Sequence, residues 1–225
     1  MTKRILVVAA HPDDEVLGCG ATLAKHSMDG DEVHILFLTD GVSARESTNI
    51  EHDRDIRRRD AKAAASILGI KSIDGLALPD NGLDKVALLD IIRPIESKII
   101  KCKPDIIYTH HFGDLNVDHC QAYNAVLTAC RPVPGFSVSE ILAFETLSST
   151  EWAGIENNKA FIPNKFINIS ATLDTKCEAM EAYKHELHAF PHPRSLKAIR
   201  ALASLRGASV GLNAAEAFTV IRQIF

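Results

Sequence analysis

The sequence predicts an α/β fold of the Rossmann-like type, in which a mostly parallel sheet carries helices on both faces. Short β-rich runs alternate with longer stretches whose apolar residues recur at helical spacing, the pattern of parallel strands joined by crossover helices. Polar clusters follow directly after two of these runs, where open parallel sheets bind ligands. The 225 residues, 46% of them hydrophobic, suit a single domain with its own core.

Strands are predicted wherever a short run is rich in β-branched and aliphatic residues. The clearest runs are Ile5–Ala10, Val33–Thr39, Asp105–Tyr108, Glu140–Glu145 and Lys165–Ile169. A further strand at Ile73–Leu78 is weaker, because Asp74 and Gly75 interrupt it. The turn cluster Pro79-Asp80-Asn81-Gly82 that follows it is expected at the sheet edge that faces the ligand.

Helices are predicted from apolar spacing between and after the strands. They are Asp14–Met28, Asp53–Leu68, Lys85–Lys101, Asp118–Cys130, Thr172–His188, Arg194–Leu205 and Ala214–Ile224. Gly69 should end the second helix, and Pro94 should kink or divide the third. The pattern changes after Pro134-Gly135, so we expect one domain over 1–225, with a core at 1–131 and a C-terminal extension at 132–225 packed on the same sheet.

Composition excludes several classes of protein. The net charge is −4, from 25 Lys and Arg against 29 Asp and Glu, so a dedicated nucleic-acid binder is not expected. No apolar run approaches the length of about 18 residues that a membrane span needs. Five cysteines form an odd count without a C-x-x-C pair, which favours a protein of the reducing cytoplasm.

The first polar cluster, His11–Glu15, follows the first strand. Three carboxylates and an imidazole within five residues repel one another unless a cation or hydrogen-bond donors compensate, and a divalent metal is the simplest compensation. The alternative is a solvated acidic helix N-terminus, where Asp and Glu meet the helix dipole favourably.

The second polar cluster, Thr109–His119, follows the strand at Asp105–Tyr108. Two central strands would bring His11, Asp14 and His119 within reach of one ion, and three such ligands leave a fourth position for water, as in catalytic zinc sites. His110 and the adjacent His111 cannot both point the same way from an extended segment, so at most one of them faces the site.

The motifs resemble those of the LmbE-like, PIG-L-type N-acetylglucosaminyl deacetylase family. The resemblance is carried by Ala-His-Pro-Asp-Asp-Glu after the first strand, by the later Asp-x-Asn-x-Asp-His, and by Arg58 ten residues before Leu68-Gly69. Further likeness at Thr39-Asp40-Gly41, Leu78-Pro79-Asp80 and the segment from Arg206 to Phe218 extends it over essentially the whole chain. The resemblance implies zinc-dependent hydrolysis of an N-acyl group on an amino sugar or sugar conjugate.

The resemblance also implies roles for individual residues. His11, Asp14 and His119 would hold Zn²⁺, or Fe²⁺ or another divalent ion in the cell. Asp13 would be the general base and would return its proton to the leaving amine. Many family members carry His where this chain has Asn116, so either the neutral amide suffices as oxyanion donor or a histidine elsewhere supplies the charge. The candidates are His111, His185, His188 and His192, of which His192 ranks first.

Substrate contacts are expected from Arg45, Arg58, His111 and Arg194. Arg58 faces the substrate side in the resemblance, whereas Arg57 and Arg59 are expected at the surface, because only one face of their helix can point inward. Arg194, with Ser195 and His192, would form an anion pocket for a nucleotide-linked or phosphorylated sugar.

The expected partner is a small-molecule N-acetyl sugar or nucleotide-sugar substrate. A homo-oligomer is also open, since the apolar segment Ala214–Phe225 would serve either as core or as interface. Two alternatives remain: an amidase acting on another sugar or thiol-conjugate amide, and a catalytically decayed ligand-binding module.

Overall fold

One seven-stranded sheet organises the molecule. The computed structural model describes residues 2–136, 138–154 and 159–225. Its strands are β1 (Arg4–Ala9), β2 (Glu32–Thr39), β3 (Ser72–Leu78), β4 (Ile106–His110), β5 (Glu140–Phe144), β6 (Lys165–Asn168) and β7 (Ala215–Gln223). Their order is β3-β2-β1-β4-β5-β7-β6. The first five strands pair in parallel, and β7 runs antiparallel to both β5 and β6.

Helices cover both faces of the sheet, as predicted. They are α1 (Asp14–Met28), α2 (Ile50–Leu68), α3 (Leu88–Cys102), α4 (Val117–Ala129), α5 (Leu173–Ala182) and α6 (Leu196–Ala208). Side chains alternate along a strand, so Ile5 and Val7 of β1 enter the core beneath α1, α2 and α5, whereas Leu6 and Val8 enter the core beneath α3 and α4. In the described part of the chain, no helix is long and apolar enough to cross a membrane.

The predicted helix at Ala214–Ile224 is wrong, because this segment is the strand β7. Phe218 and Val220 pack into one core while Ile221 packs into the other, the alternation that a strand between two neighbours requires. Its Ala-Glu-Ala-Phe start has helical propensity, and pairing with β5 and β6 overrides it. The segment is therefore an inner strand and not a helical interface.

Pro94 does not divide its helix, since α3 runs through it as one element. The prediction for Thr172–His188 was too long, because α5 ends at Ala182 and the chain then turns.

Helix α1 is interrupted at Cys19, where φ is −146°. The carboxylate of Glu216 on β7 accepts hydrogen bonds from the backbone N–H groups of Ala21 (3.2 Å) and Thr22 (2.7 Å). Lys176 donates to the freed carbonyl of Leu17 at 2.8 Å and pairs with Glu216. This buried pair replaces the hydrogen bonds that the interruption removes, and it ties the C-terminal part of the chain to the helix that begins at the first polar cluster.

Candidate active site

The two polar clusters meet because β1 and β4 are parallel neighbours. Parallel strands end at the same edge of the sheet, so the loop after β1 and the loop after β4 lie side by side. The strand order also reverses here, since β1 connects outward to β2 on one side and has β4 on the other. Such a reversal opens the crevice in which doubly wound sheets bind their ligands.

His11, Asp14 and His119 converge at this crevice. Asp14 Oδ2 lies 3.0 Å from His11 Nδ1 and 3.3 Å from His119 Nε2, and one ligand atom from each residue lies within 4.8 Å of the others. Asp14 Oδ1 and His119 Nε2 are buried and have no hydrogen-bond partner among the described residues. Buried polar atoms without partners are rare, so this donor set fits a divalent cation of the zinc class.

Asp114 orients the imidazole of His119 through Nδ1, the ring nitrogen that does not face Asp14. Its Nδ1 lies 3.1 Å from Asp114 Oδ1, and Asp114 accepts hydrogen bonds from the hydroxyls of Ser149 and Thr150. Burial alone would raise the pKa of Asp114, but His119 and the two hydroxyls outweigh it and hold that pKa at about 2. An ionised Asp114 fixes the tautomer that leaves Nε2 of His119 free to bind a metal.

A second carboxylate pair orients His11. Its Nε2 lies 3.2 Å from Asp118 Oδ2 and 3.3 Å from Asp80 Oδ1, and Asp118 also accepts from the backbone N–H groups of Asn81 and Leu83. His11, Asp80 and Asp118 could also surround an ion, but the hydrogen bonds to Asp118 already use much of its acceptor capacity. We therefore interpret this pair as the support that turns Nδ1 of His11 toward Asp14.

Asp13 occupies a backbone conformation that non-glycine residues avoid, with φ at 129°. Its N–H donates to Glu15 Oε2 at 2.9 Å, and Glu15 Oε1 accepts from the hydroxyl of Tyr183 at 2.6 Å. Burial raises the pKa of Glu15 to about 8. Burial also raises the pKa of Asp13, against the opposing charge of Arg194, whose guanidinium donates to Asp13 Oδ2 at 2.9 Å.

Three arginines surround the buried carboxylate of Glu186, beside Asp13. Arg194 donates to it at 2.8 Å and Arg45 at 3.0 Å, and Arg57 forms the third ion pair. Glu186 thus holds two of these guanidinium groups near Asp13. The sequence reading did not single out Glu186, and no local motif marks it.

The prediction that Arg57 lies at the surface is wrong. Arg57 is 5% exposed and also donates to the carbonyl of Pro12. Arg58, which was expected to face the substrate, instead turns to solvent and pairs with Asp55. One residue along a helix rotates the side chain by about 100°, so the inward face of α2 carries Arg57.

The two adjacent histidines at the end of β4, His110 and His111, point in different directions, as expected. His110 stacks on His119 with ring centroids 3.9 Å apart and accepts from the N–H of Ala10. Burial and the neighbouring His119 lower the pKa of His110 to about 3. The structure turns His111 away from the predicted substrate side, because its Nε2 contacts the carbonyl of Lys159 at 2.7 Å.

His192 is adjacent to the crevice and does not line it. Its Nδ1 accepts from the backbone N–H of Arg194 at 3.0 Å, and its ring packs against His188 and Trp152. Ser195 caps α6 by accepting from Ala198, so of the expected anion pocket only Arg194 reaches the crevice.

Asn116 does line the crevice. Its Oδ1 caps α4 by accepting from the N–H of Asp118, and its Nδ2 donates to Asn81 Oδ1 at 3.2 Å. An amide nitrogen has two hydrogens, so one remains for a ligand.

The crevice has a volume of about 80 Å³ and almost wholly polar walls. Its lining residues are His11, Asp13, Gly41, Arg45, Arg57, Asp80, Asn81, Asn116 and Arg194. A second cavity of about 220 Å³ adjoins it and shares Arg45 and Arg57.

This combination of motif and geometry matches a known family. The family model for PIG-L, GlcNAc-PI de-N-acetylase, matches residues 6–130. The chain belongs to the PIG-L family. The resemblance and the fold class read from the sequence are thereby confirmed.

Several relatives are named deacetylases. The uncharacterized deacetylase YaiS of Escherichia coli is 31% identical over 81% of this chain and 91% of its own length. The diacetylchitobiose deacetylase of Thermococcus kodakarensis is 26% identical over 82% of this chain and 70% of its own length. A 4-oxalmesaconate hydratase of Pseudomonas putida is also 26% identical, over 95% of this chain and 85% of its own length.

Among solved structures, the conserved protein TT1542 of Thermus thermophilus superposes with a TM-score of 0.80 at 26% identity, covering 100% of this chain and 97% of its own. The fold shared with this protein thus includes the C-terminal strands that lie beyond the matched 6–130 segment.

Proposed function

We propose that this PIG-L protein is a metal-dependent N-deacetylase that hydrolyses the acetamide of an N-acetylated amino sugar, free or carried on a sugar conjugate or nucleotide. The observation that carries the proposal is the position of Asp13, a buried carboxylate directly beside the convergent trio of His11, Asp14 and His119. A ligand-binding module has no need for a base next to a cation site, so this arrangement favours catalysis over a decayed binder.

The trio would hold the metal, with zinc as the first choice and Fe²⁺ or another divalent ion as alternatives. A divalent ion bound there would polarise the acetamide oxygen and lower the pKa of water.

Asp13 carries the proton transfers. Burial raises its pKa, which makes it a better proton acceptor at neutral pH. It takes a proton from the attacking water and returns it to the sugar nitrogen as the C–N bond breaks, so the products are acetate and a free amine. The hydrogen bond from its backbone to Glu15 holds Asp13 in its unusual conformation for this step.

Arg194 and Asn116 would stabilise the developing oxyanion. Asn116 offers a neutral amide hydrogen, and Arg194, which reaches Asp13, supplies the positive charge that Asn116 lacks. The sequence pointed to His192 for that charge, but its ring packs outside the crevice. Arg45 pairs with Glu186, but about half of its side chain is exposed, and its remaining N–H donors would contact the rest of the sugar.

The decisive experiment compares wild-type protein with Asp13→Asn. After zinc loading, we expect both proteins to retain about one metal ion per chain, and only the wild type to release acetate from N,N′-diacetylchitobiose, N-acetylglucosamine, UDP-N-acetylglucosamine or an N-acetylglucosaminyl inositol. Asp55→Asn, an exposed acid on α2, is the matched control and should keep full activity. Equal turnover by Asp13→Asn would refute the assigned base.

Hydration of an unsaturated acid is the second candidate. It is favoured by the similarity to a hydratase over 95% of this chain and by the three arginines, which suit a substrate with carboxylates. Assaying 4-oxalmesaconate alongside the N-acetyl sugars separates the two: consumption of this acid without acetate release from any sugar would favour the hydratase.

We also propose a cytoplasmic location, because all five cysteines are free.

A further inference from the structure

The crevice lacks a surface for the apolar side of a sugar. Among the described residues that line it, eight of nine are polar or charged and the ninth is Gly41. These groups suit hydroxyls and an acetamide. A pyranose also presents a face of C–H bonds, which proteins bind with the electron-rich face of an aromatic ring. That partner must therefore lie beyond the crevice wall.

Three described aromatic residues on the loops near the crevice are exposed: Phe112, Trp152 and Phe190. Phe112 packs against His111, and the ammonium group of Lys197 lies over the ring of Phe190. Trp152 differs from both because it ends the turn whose hydroxyl groups bind Asp114. It is 52% exposed, although indole side chains are normally well buried. It ends the short 3₁₀ turn Thr150–Trp152. The preceding residues, Ser149 and Thr150, bind Asp114, which orients His119. The same turn therefore supports a metal ligand at one end and presents the indole at the other.

The loop that precedes α6 also contacts Trp152. His192 contacts the indole edge-on, with ring centroids 6.1 Å apart and planes at 85°. Burial first, and then the charges of His188 and Arg194, lower the pKa of His192. Arg194 donates from its backbone N–H to His192 and from its guanidinium group to Asp13. Its Nε also donates to the hydroxyl of Ser148 at 2.6 Å. These bonds fasten the two loops together at Arg194, which lines the crevice.

Side-chain hydrogen bonds hold the turn that carries Trp152. Glu151 accepts hydrogen bonds from the backbone N–H groups of Ser148 and Ser149, and Thr150 accepts from the N–H of Thr146 at 2.8 Å. An aromatic side chain held in place binds a ligand with little loss of conformational entropy.

We infer that Trp152, backed by His192, is a stacking platform for a second ring, a sugar or cyclitol, joined to the N-acetylated sugar. The inference rests on the proposed deacetylase function and makes Trp152 a specificity-determining residue. It selects two-ring substrates over N-acetylglucosamine alone and does not take part in the chemical step.

The chain contains a single tryptophan, so its fluorescence reports on this side chain alone. Zinc-loaded Asp13→Asn, which binds without turnover, is titrated with N,N′-diacetylchitobiose, with an N-acetylglucosaminyl inositol and with N-acetylglucosamine. We expect a saturable change in tryptophan emission with at least one of the two-ring ligands, at concentrations where N-acetylglucosamine produces little change.

Kinetics of Trp152 variants complete the test. Trp152→Ala should raise KM for the two-ring substrate about tenfold, as expected for the loss of a well-placed ring contact, with kcat and the KM for N-acetylglucosamine nearly unchanged. Trp152→Phe should restore most of the affinity. The control is Ile100→Ala, which truncates an exposed apolar side chain on α3 and should have no effect.

Failure of the inference differs from failure of the function. Turnover of a two-ring substrate with unchanged tryptophan emission and an unchanged KM in Trp152→Ala would overturn the platform while leaving the deacetylase intact. Absence of both binding and acetate release with every sugar would overturn the deacetylase and the platform together.

Discussion

Replacing Asp114 with Asn should weaken metal binding without touching a metal ligand. Asp114 is the ionised partner of His119 Nδ1, at 3.1 Å. Its pKa falls from 3.8 to about 2, a shift that corresponds to about 2.4 kcal/mol of net stabilisation of the carboxylate. His119 supplies only part of this, because Ser149 and Thr150 also donate to Asp114.

We therefore expect a loss of about 1.4–2.7 kcal/mol in zinc affinity, which is about 10–100-fold in Kd and typical of the carboxylate behind a metal-bound histidine. The assay is competition for zinc against a chromophoric chelator, with thermal unfolding of the metal-free protein measured in parallel. Asp55→Asn is the control for removing a surface carboxylate. An unchanged zinc Kd in a folded Asp114→Asn protein would refute the assignment of His119 as a ligand supported by Asp114.

Further predictions concern substrate binding, packing and pH. Arg194→Ala should lower kcat/KM about 10²–10³-fold through the loss of an oxyanion donor, whereas Arg58→Ala should stay within about twofold; steady-state kinetics decide, and equal effects would contradict the geometry. Gly18→Ala should lower the free energy of unfolding by about 1–3 kcal/mol, because its Cβ would overlap the ring of Phe144; a Tm equal to that of the wild type would contradict this packing. Burial raises the pKa of Glu186, but the surrounding arginines, Arg45 foremost, outweigh it and leave the pKa below 4.5. The group thus stabilises the fold above about pH 4.5 and loses this contribution as the pH falls through its lowered pKa. Denaturant unfolding of Glu186→Gln should show lower stability at pH 7 and a shallower decline below pH 4.5, and parallel profiles for the two proteins would contradict the assignment.

Six of the seven strands, and the polar clusters that follow two of them, were predictable because they depend on local rules. Apolar runs such as Ile5–Ala10 identify buried strands, and parallel strands place the residues after them at one sheet edge. His11, Asp14 and His119 could therefore be brought together once the two strands that precede them were taken as central neighbours in a doubly wound sheet.

The features that the sequence did not predict depend on which face of a helix packs inward and on contacts between residues far apart in the chain. Arg57 and Arg58 differ only in rotation about the helix axis, and the face of α2 that packs inward is set by its neighbours. Glu186 lies in a turn after α5 and gains its position from arginines on other segments. The strand β7 was misread because its pairing partners, not its own propensity, decide its conformation.

The most direct test of the central claim is acetate release before and after metal removal. Chelator-treated protein should remain folded and release no acetate, and one equivalent of zinc or iron(II) per chain should restore acetate release from an N-acetylated amino sugar. Undiminished acetate release by metal-free protein would contradict the account, as would a fully loaded enzyme that binds an N-acetyl sugar and leaves its acetamide intact.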